Sequence, residues 1–135
     1  MNDLFPYLDC LNEAQREAVL HEGSPLLILA GAGSGKTRVI TTKIAYLTDS
    51  GKYDPRSILA VTFTNKAARE MAERAAALVS GGRGIENAGR GASPAMAMVR
   101  TFHSFGAWFL RRNAALAGLS PSFAIYDDDD SLSLL

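Results

Sequence analysis

The sequence has 135 residues, 47% of them hydrophobic, with fourteen basic and fourteen acidic side chains. That length and apolar content suit one globular domain with a buried core, and no apolar run approaches the roughly 20 residues of a membrane-spanning helix. Four of the acids form the run Asp127–Asp130, so residues 1–126 carry fourteen bases against ten acids, a mild +4 bias that a polyanionic partner suits.

In chain order, Met1-Asn2-Asp3-Leu4-Phe5-Pro6 lacks the basic flank and apolar stretch of a secretion signal. The single cysteine, Cys10, cannot form an internal disulfide, which fits a cytoplasmic location; it reads as a small apolar residue near a helix start. Leu11 to Val19 reads as the beginning of a helix, with Asn12 as cap and Gln15 closing a capping box. The Gln15 amide offers a donor and an acceptor, so it could equally hold the edge of an adenine.

Leu26-Leu27-Ile28-Leu29-Ala30 is a continuous apolar run of the kind found in strands covered on both faces. After a glycine-rich loop, a helix is predicted from about Lys36 to Ser50, with Val39, Ile40, Ile44 and Leu47 as its buried stripe and Gly51 as its stop. Asp54 to Ser57 is turn material. A second strand follows over 58–63, then a helix over about 66–79 capped by Thr64 or Asn65. Residues 81–94 contain five glycines and read as a flexible surface loop. A third strand over 95–100 leads to a helix over 102–117, ended by Gly118. Phe105, Trp108 and Phe109 lie at helical spacing and are expected in the core. His103, with no Asp, Glu or Cys nearby in sequence, reads as a hydrogen-bonding group rather than a metal ligand.

The strand–helix alternation predicts right-handed crossovers and a parallel sheet flanked by helices, an α/β fold. Three strands leave such a sheet incomplete, and the chain is expected to be part of a larger unit.

The string Ala30-Gly31-Ala32-Gly33-Ser34-Gly35-Lys36-Thr37 differs from the strict phosphate-loop pattern only in its first alanine. Its glycines permit backbone conformations in which successive N–H groups converge on one anion, and the following helix aims its positive end at the same point. Lys36 is expected to reach the β- and γ-phosphates, and the Thr37 hydroxyl to take one coordination place on Mg²⁺. The loop alone permits a kinase or a switch GTPase, and a non-catalytic nucleotide- or DNA-binding module is a further alternative.

Four blocks together narrow this. Leu11-Asn12-x-x-Gln15-x-x-Ala18-Val19, the loop with Arg38, the string 58–68 with Met71 and Arg74, and Thr101-Phe102-His103-Ser104-Phe105 stand in the order and spacing of one family. In these the chain resembles the N-terminal end of superfamily 1 DNA helicases of the UvrD/Rep/PcrA type. The likeness covers about residues 11–130, and Thr62-Phe63-Thr64-Asn65-Lys66-Ala67-Ala68 is far more specific than a bare phosphate loop.

The resemblance implies a P-loop NTPase of RecA-like, three-layer parallel-sheet architecture. Residues 1–120 would be the N-terminal part of its first ATP-binding domain, and 121–135 the truncated start of an inserted helical subdomain. It implies ATP and Mg²⁺ as cofactors and single-stranded or partially duplex DNA as partner, for an ATP-dependent 3′-to-5′ helicase. Gln15 would read adenine, Arg38 would lie beside the base or ribose, and residues 30–37 would hold the phosphates. Phe63, Thr64 and Asn65 would contact the strand, with Thr101, Phe102, His103 and Ser104 as a second contact. Both blocks fall where a strand ends and a helix begins, the edge at which open parallel sheets gather ligands. Lys66, Arg69 and Arg74 read either as a solvated helix face or as DNA contacts.

The acidic pair and later arginines that hydrolysis needs in this family do not appear in the 135 residues. Phe123-Ala124-Ile125-Tyr126-Asp127-Asp128 imitates the acidic strand, but matches better the stretch at which the family's chain enters its helical insertion. The chain alone is therefore expected to bind nucleotide without efficient hydrolysis or unwinding.

Overall fold

The computed structural model describes residues 4–79, 97–120 and 122–125. A 3-10 turn, Pro6–Cys10, precedes the first helix, α1 (Glu13–Leu20). Asn12 caps α1 in the predicted capping box, accepting the Gln15 N–H at 2.9 Å while Gln15 Oε1 accepts the Asn12 N–H at 3.2 Å. The second helix, α2 (Lys36–Asp49), stops before Gly51 at φ 67°, where the left-handed conformation favours glycine.

Among the described residues the sheet has two parallel strands, β1 (Leu59–Thr62) and β2 (Met98–Thr101), with Thr62 opposite Thr101. Helix α3 (Asn65–Val79) connects them, with Thr64 as its cap accepting the Ala67 N–H at 3.1 Å. Helix α4 (Phe102–Arg112) follows β2 without a break. Beyond Asn113 the chain coils through another turn to Gly118, where Leu119 N–H bonds Ala114 O and Gly118 N–H bonds Ala115 O. That pair is a Schellman closure around a glycine at φ 67°, so the predicted stop falls where expected although the regular helix ends earlier.

The expected strand over 26–30 does not form among the described residues. A strand needs a neighbour to satisfy its N–H and C=O groups, and neither β1 nor β2 pairs with this segment. Its side chains alternate in exposure, Leu27 at 82% and Leu29 at 88% against Leu26 at 47% and Ile28 at 41%. What forms is a mixed helix–strand fold around a small parallel sheet, in agreement with the α/β class though with fewer strands than predicted. Residues 81–94 and Asp127–Asp130 lie outside the described residues, as does the start of the predicted third strand.

Two apolar clusters hold the elements together. Leu8, Ala18, Val19, Val39 and Tyr46 join the N-terminal turn and α1 to α2. Ile44, Met71, Ala75 and Ala97 join α2 and α3 beside the strands. Fully burying one side chain such as Val19 stabilises the fold by about 1.5–3 kcal/mol. Because α2 is covered on two sides, its buried residues form a wider band than one stripe, and Ile40, predicted inside, is exposed. The other correction is α4, which buries no residue completely. Phe105 and Trp108 are half-buried and Phe109 is exposed, since among the described residues α4 packs mainly on the two short strands. Trp108 instead carries the Arg100 and Arg112 guanidinium groups over its ring, at 5.6 and 5.3 Å from the centroid.

Candidate nucleotide and DNA site

The loop between Ala30 and α2 has the backbone its glycines predict. Gly33 and Gly35 have φ of 74° and 85°, and Gly35 stands as the N-cap of α2 with no side chain to cover the helix end. The unpaired N–H groups of the first turn therefore face outward as a ready anion site. Internally the loop closes on the Gly31 carbonyl, which accepts the Ser34 hydroxyl at 2.6 Å and the Lys36 ammonium at 2.8 Å. Lys36 Nζ also donates to Ala30 O at 2.8 Å. The ammonium thus lies against the loop's own carbonyls, in a position to exchange them for phosphate oxygens. Thr37 is exposed in the first turn of α2, and Ala32 in the loop.

Gln15 closes the capping box its sequence predicts and also reaches further. Besides closing the capping box, its Nε2 donates to Ser34 O at 3.1 Å, tying α1 to the loop. Sequence could not reveal this contact, which spans 19 residues. Another such contact is Lys43, whose ammonium takes the C-terminal carbonyls of α1 at Val19 (2.9 Å), Ala18 (3.4 Å) and His21. These are the acceptors a helix end leaves unsatisfied. Burial lowers the Lys43 pKa, offset in part by the charge of Glu22.

Arg38, in the first turn of α2, reaches the Cys10 carbonyl at 3.5 Å. Cys10 is exposed rather than apolar filler. Beside it opens a cavity of about 470 Å³, with Tyr7 and Leu11 on one wall, Arg38 and Thr42 on another, and Arg74 of α3 on a third. Arg74 also pairs with Glu70 at 3.7 Å, while Lys66 and Arg69 are exposed. On the Tyr7 wall the phenol donates to Asp49 at 2.9 Å. Burial, then this hydrogen bond, raises the Tyr7 pKa well above the ordinary phenol value. Burial also raises the Asp49 pKa, while the phenol's hydrogen bond acts against it.

The second group of predicted residues meets at the carboxyl ends of the strands. Because Thr62 and Thr101 are in register, α3 and α4 begin side by side. Phe63 is 84% exposed and takes no part in the core. Its ring lies 5.3 Å from that of Phe102, itself half exposed, at an interplanar angle of 40°. Thr64, Asn65 and His103 are exposed around this pair. Thr101 and Ser104 differ: Thr101 is buried, and the two hydroxyls and backbone N–H groups close a capping box at 3.1 Å in each direction. They fix the start of α4 and leave Phe102 and His103 to face outward.

The sequence has counterparts among known proteins. Residues 11–135 match the family model described as the UvrD/REP helicase N-terminal domain. The chain is 54% identical over 129 residues to the ATP-dependent DNA helicase UvrD1 of Mycobacterium leprae, covering 95% of this chain and 15% of that protein. It is 46% identical over 125 residues to the ATP-dependent DNA helicase Rep of Escherichia coli, and 45% identical over 128 residues to the ATP-dependent DNA helicase PcrA of Staphylococcus aureus. These alignments cover 93% and 95% of this chain but only 17% and 16% of the relatives. With the family model spanning nearly the whole sequence, the chain belongs to the UvrD/REP helicase N-terminal domain family.

Proposed function

We propose that this chain is the nucleotide-binding and strand-gripping start of an ATP-dependent DNA helicase that moves 3′ to 5′ along single-stranded or partially duplex DNA. The observation that carries the proposal is the pairing of two features in one chain. One is a glycine loop that opens a helix at Lys36; the other is an exposed Phe63–Phe102 pair at the in-register ends of β1 and β2. A phosphate-binding loop serves many enzymes, but a kinase or GTPase has no use for exposed aromatics at the neighbouring helix starts.

For nucleotide, residues 30–37 hold the phosphates through backbone N–H groups and the Lys36 ammonium, and Gln15 and Arg38 border the base and ribose. The Thr37 hydroxyl is an oxygen donor of the hard type Mg²⁺ takes, and it stands beside the anion site. When bound there, the ion neutralises charge on the β- and γ-phosphates. For DNA, Phe63 and Phe102 offer π faces to bases without regard to sequence, and Thr64, Asn65 and His103 offer hydrogen bonds to the backbone. Thr101 and Ser104 act by aiming this edge.

Residues 1–120 form part of a RecA-like ATP-binding domain in this proposal, and 121–135 begin a helical insertion. In this proposal Asp127 and Asp128 belong to the start of that insertion and are not the acidic pair that activates water. The chain by itself binds ATP with negligible turnover, in a soluble cytoplasmic setting; among the described residues no helix is long and apolar enough to cross a membrane.

The test is fluorescence anisotropy of a labelled oligo-dT with this chain. Micromolar-to-millimolar binding that falls with Phe63→Ala and with Phe102→Ala supports the proposal. Binding indifferent to both substitutions, or none at all, contradicts the strand-gripping role. DNA-stimulated ATP turnover abolished by Lys36→Ala would contradict the expected lack of hydrolysis.

A further inference from the structure

Gln15 is mounted more firmly than a base-reading side chain requires. Its Oε1 accepts the Asn12 N–H and its Nε2 donates to Ser34 O. The helix that carries it is fixed in turn, by Val19 and Ala18 packed against Val39 and Tyr46 and by Lys43 on its last carbonyls. The contact is close: a Cβ placed on Gly35 would meet Gln15 Nε2 at 2.7 Å.

Ser34 C=O and Gly35 N–H belong to one peptide unit. No described peptide bond is cis, so these two groups point in opposite directions. Holding the Ser34 oxygen on Gln15 therefore turns the Gly35 N–H away from α1. That N–H is among the loop donors that converge on an anion.

We propose that Gln15 is a positioning residue for the phosphates themselves: it sets the Ser34–Gly35 peptide so that the Gly35 N–H serves the anion, whatever base is attached. The proposal rests on the phosphate-loop reading given above. It is compatible with contact to a base, since Nε2 carries two hydrogens and Oε1 two lone pairs. It adds a base-independent role that adenine recognition alone does not contain.

Inorganic tripolyphosphate separates the two roles because it has no base. Calorimetric titration of the full chain, with Mg²⁺, compares tripolyphosphate and ATP across three substitutions. Gln15→Met keeps the side chain's length without charge and removes both hydrogen bonds. Gln15→Glu keeps an acceptor for the Asn12 N–H and removes only the donor to Ser34; repeating it at raised salt screens its added charge. Asn12→Ala breaks the capping box and leaves the Ser34 contact in place.

Losing one neutral hydrogen bond predicts that both Gln15 variants bind tripolyphosphate about threefold to tenfold more weakly, at either salt concentration. ATP binding falls at least as far, and Asn12→Ala keeps tripolyphosphate affinity within about twofold, below the loss of a net hydrogen bond. Unchanged tripolyphosphate affinity in the Gln15 variants, with or without a loss for ATP, overturns the proposal. So does an equal loss in Asn12→Ala, which would assign the effect to the helix cap. A wild-type chain that binds neither anion overturns the phosphate-loop reading itself, and this result is distinct from the others.

Discussion

Three glycines of the phosphate loop stand in different surroundings, and an alanine series through them tests whether the loop has the backbone described. Gly31 has no positive φ, and a Cβ there meets nothing within 4 Å. Gly33 has equal space but a φ of 74°. Gly35 has a φ of 85° and a Cβ position 2.7 Å from Gln15 Nε2. Gly31→Ala should change stability by less than about 0.5 kcal/mol, as an unstrained surface substitution. Gly33→Ala carries the left-handed penalty of an L-residue, about 1–2 kcal/mol. Gly35→Ala carries that penalty and also displaces the Gln15 amide from Ser34, adding about 0.5–1.5 kcal/mol for the lost hydrogen bond. Urea unfolding of the nucleotide-free variants, followed by circular dichroism, gives the three differences directly. The predicted order is Gly31→Ala mildest and Gly35→Ala most severe. A Gly35→Ala protein as stable as Gly31→Ala would refute both the left-handed cap and the Gln15 contact.

Other predictions follow from single contacts. Thr101→Val removes the acceptor for the Ser104 N–H, and urea unfolding should show a loss of about 0.5–2 kcal/mol. Phe63→Ala and Phe102→Ala should each weaken single-strand binding by about 1–3 kcal/mol irrespective of base. Because the rings lie 5.3 Å apart, the double variant should lose less than the sum, as anisotropy titrations of oligo-dT and oligo-dC can show. Asp49 has a folded pKa raised by burial, so its contribution to stability is present below the unfolded carboxylate value and lost as pH rises through the folded one. Asp49→Asn keeps an acceptor for the Tyr7 hydroxyl and removes an anion at the C-terminal end of α2. Its stability relative to the wild type should be greatest near neutral pH and shrink as pH falls into the carboxylate range. A gap that widens on acidification, in urea unfolding at two pH values, would reverse the sign given to Asp49.

Local chemistry was legible in the sequence where it is carried by neighbours along the chain. The Asn12–Gln15 box, the Gly118 stop, the Thr64 cap and the glycine loop before Lys36 all depend on residues within a few positions of one another. What depends on distant partners was not legible. The run at 26–30 has the composition of a buried strand, but pairing decides whether a strand forms, and no described strand pairs with it. Helical spacing placed Phe105, Trp108 and Phe109 on a face without saying what the face would meet. Arg100 and Arg112 over Trp108 are the described answer. Phe63 is a further case, since its contact with Phe102 depends on the register that sets the ends of β1 and β2 side by side. Gln15 presented two local options, and the contact that joins it to Ser34 belonged to neither.

In the function proposed above, the loop of residues 30–37 holds the phosphates of ATP. Calorimetric titration of the 135-residue chain with Mg²⁺–ATP tests it most directly, beside the same titration of Lys36→Ala. The ammonium of Lys36 lies 2.8 Å from two loop carbonyls, which a bound phosphate would replace as its acceptors. A charge-assisted hydrogen bond contributes about 1.5–3 kcal/mol, so the variant should bind roughly tenfold to more than a hundredfold more weakly while unfolding at nearly the same urea concentration. Equal ATP affinity in a folded Lys36→Ala protein would rule out Lys36 as a phosphate ligand in this loop.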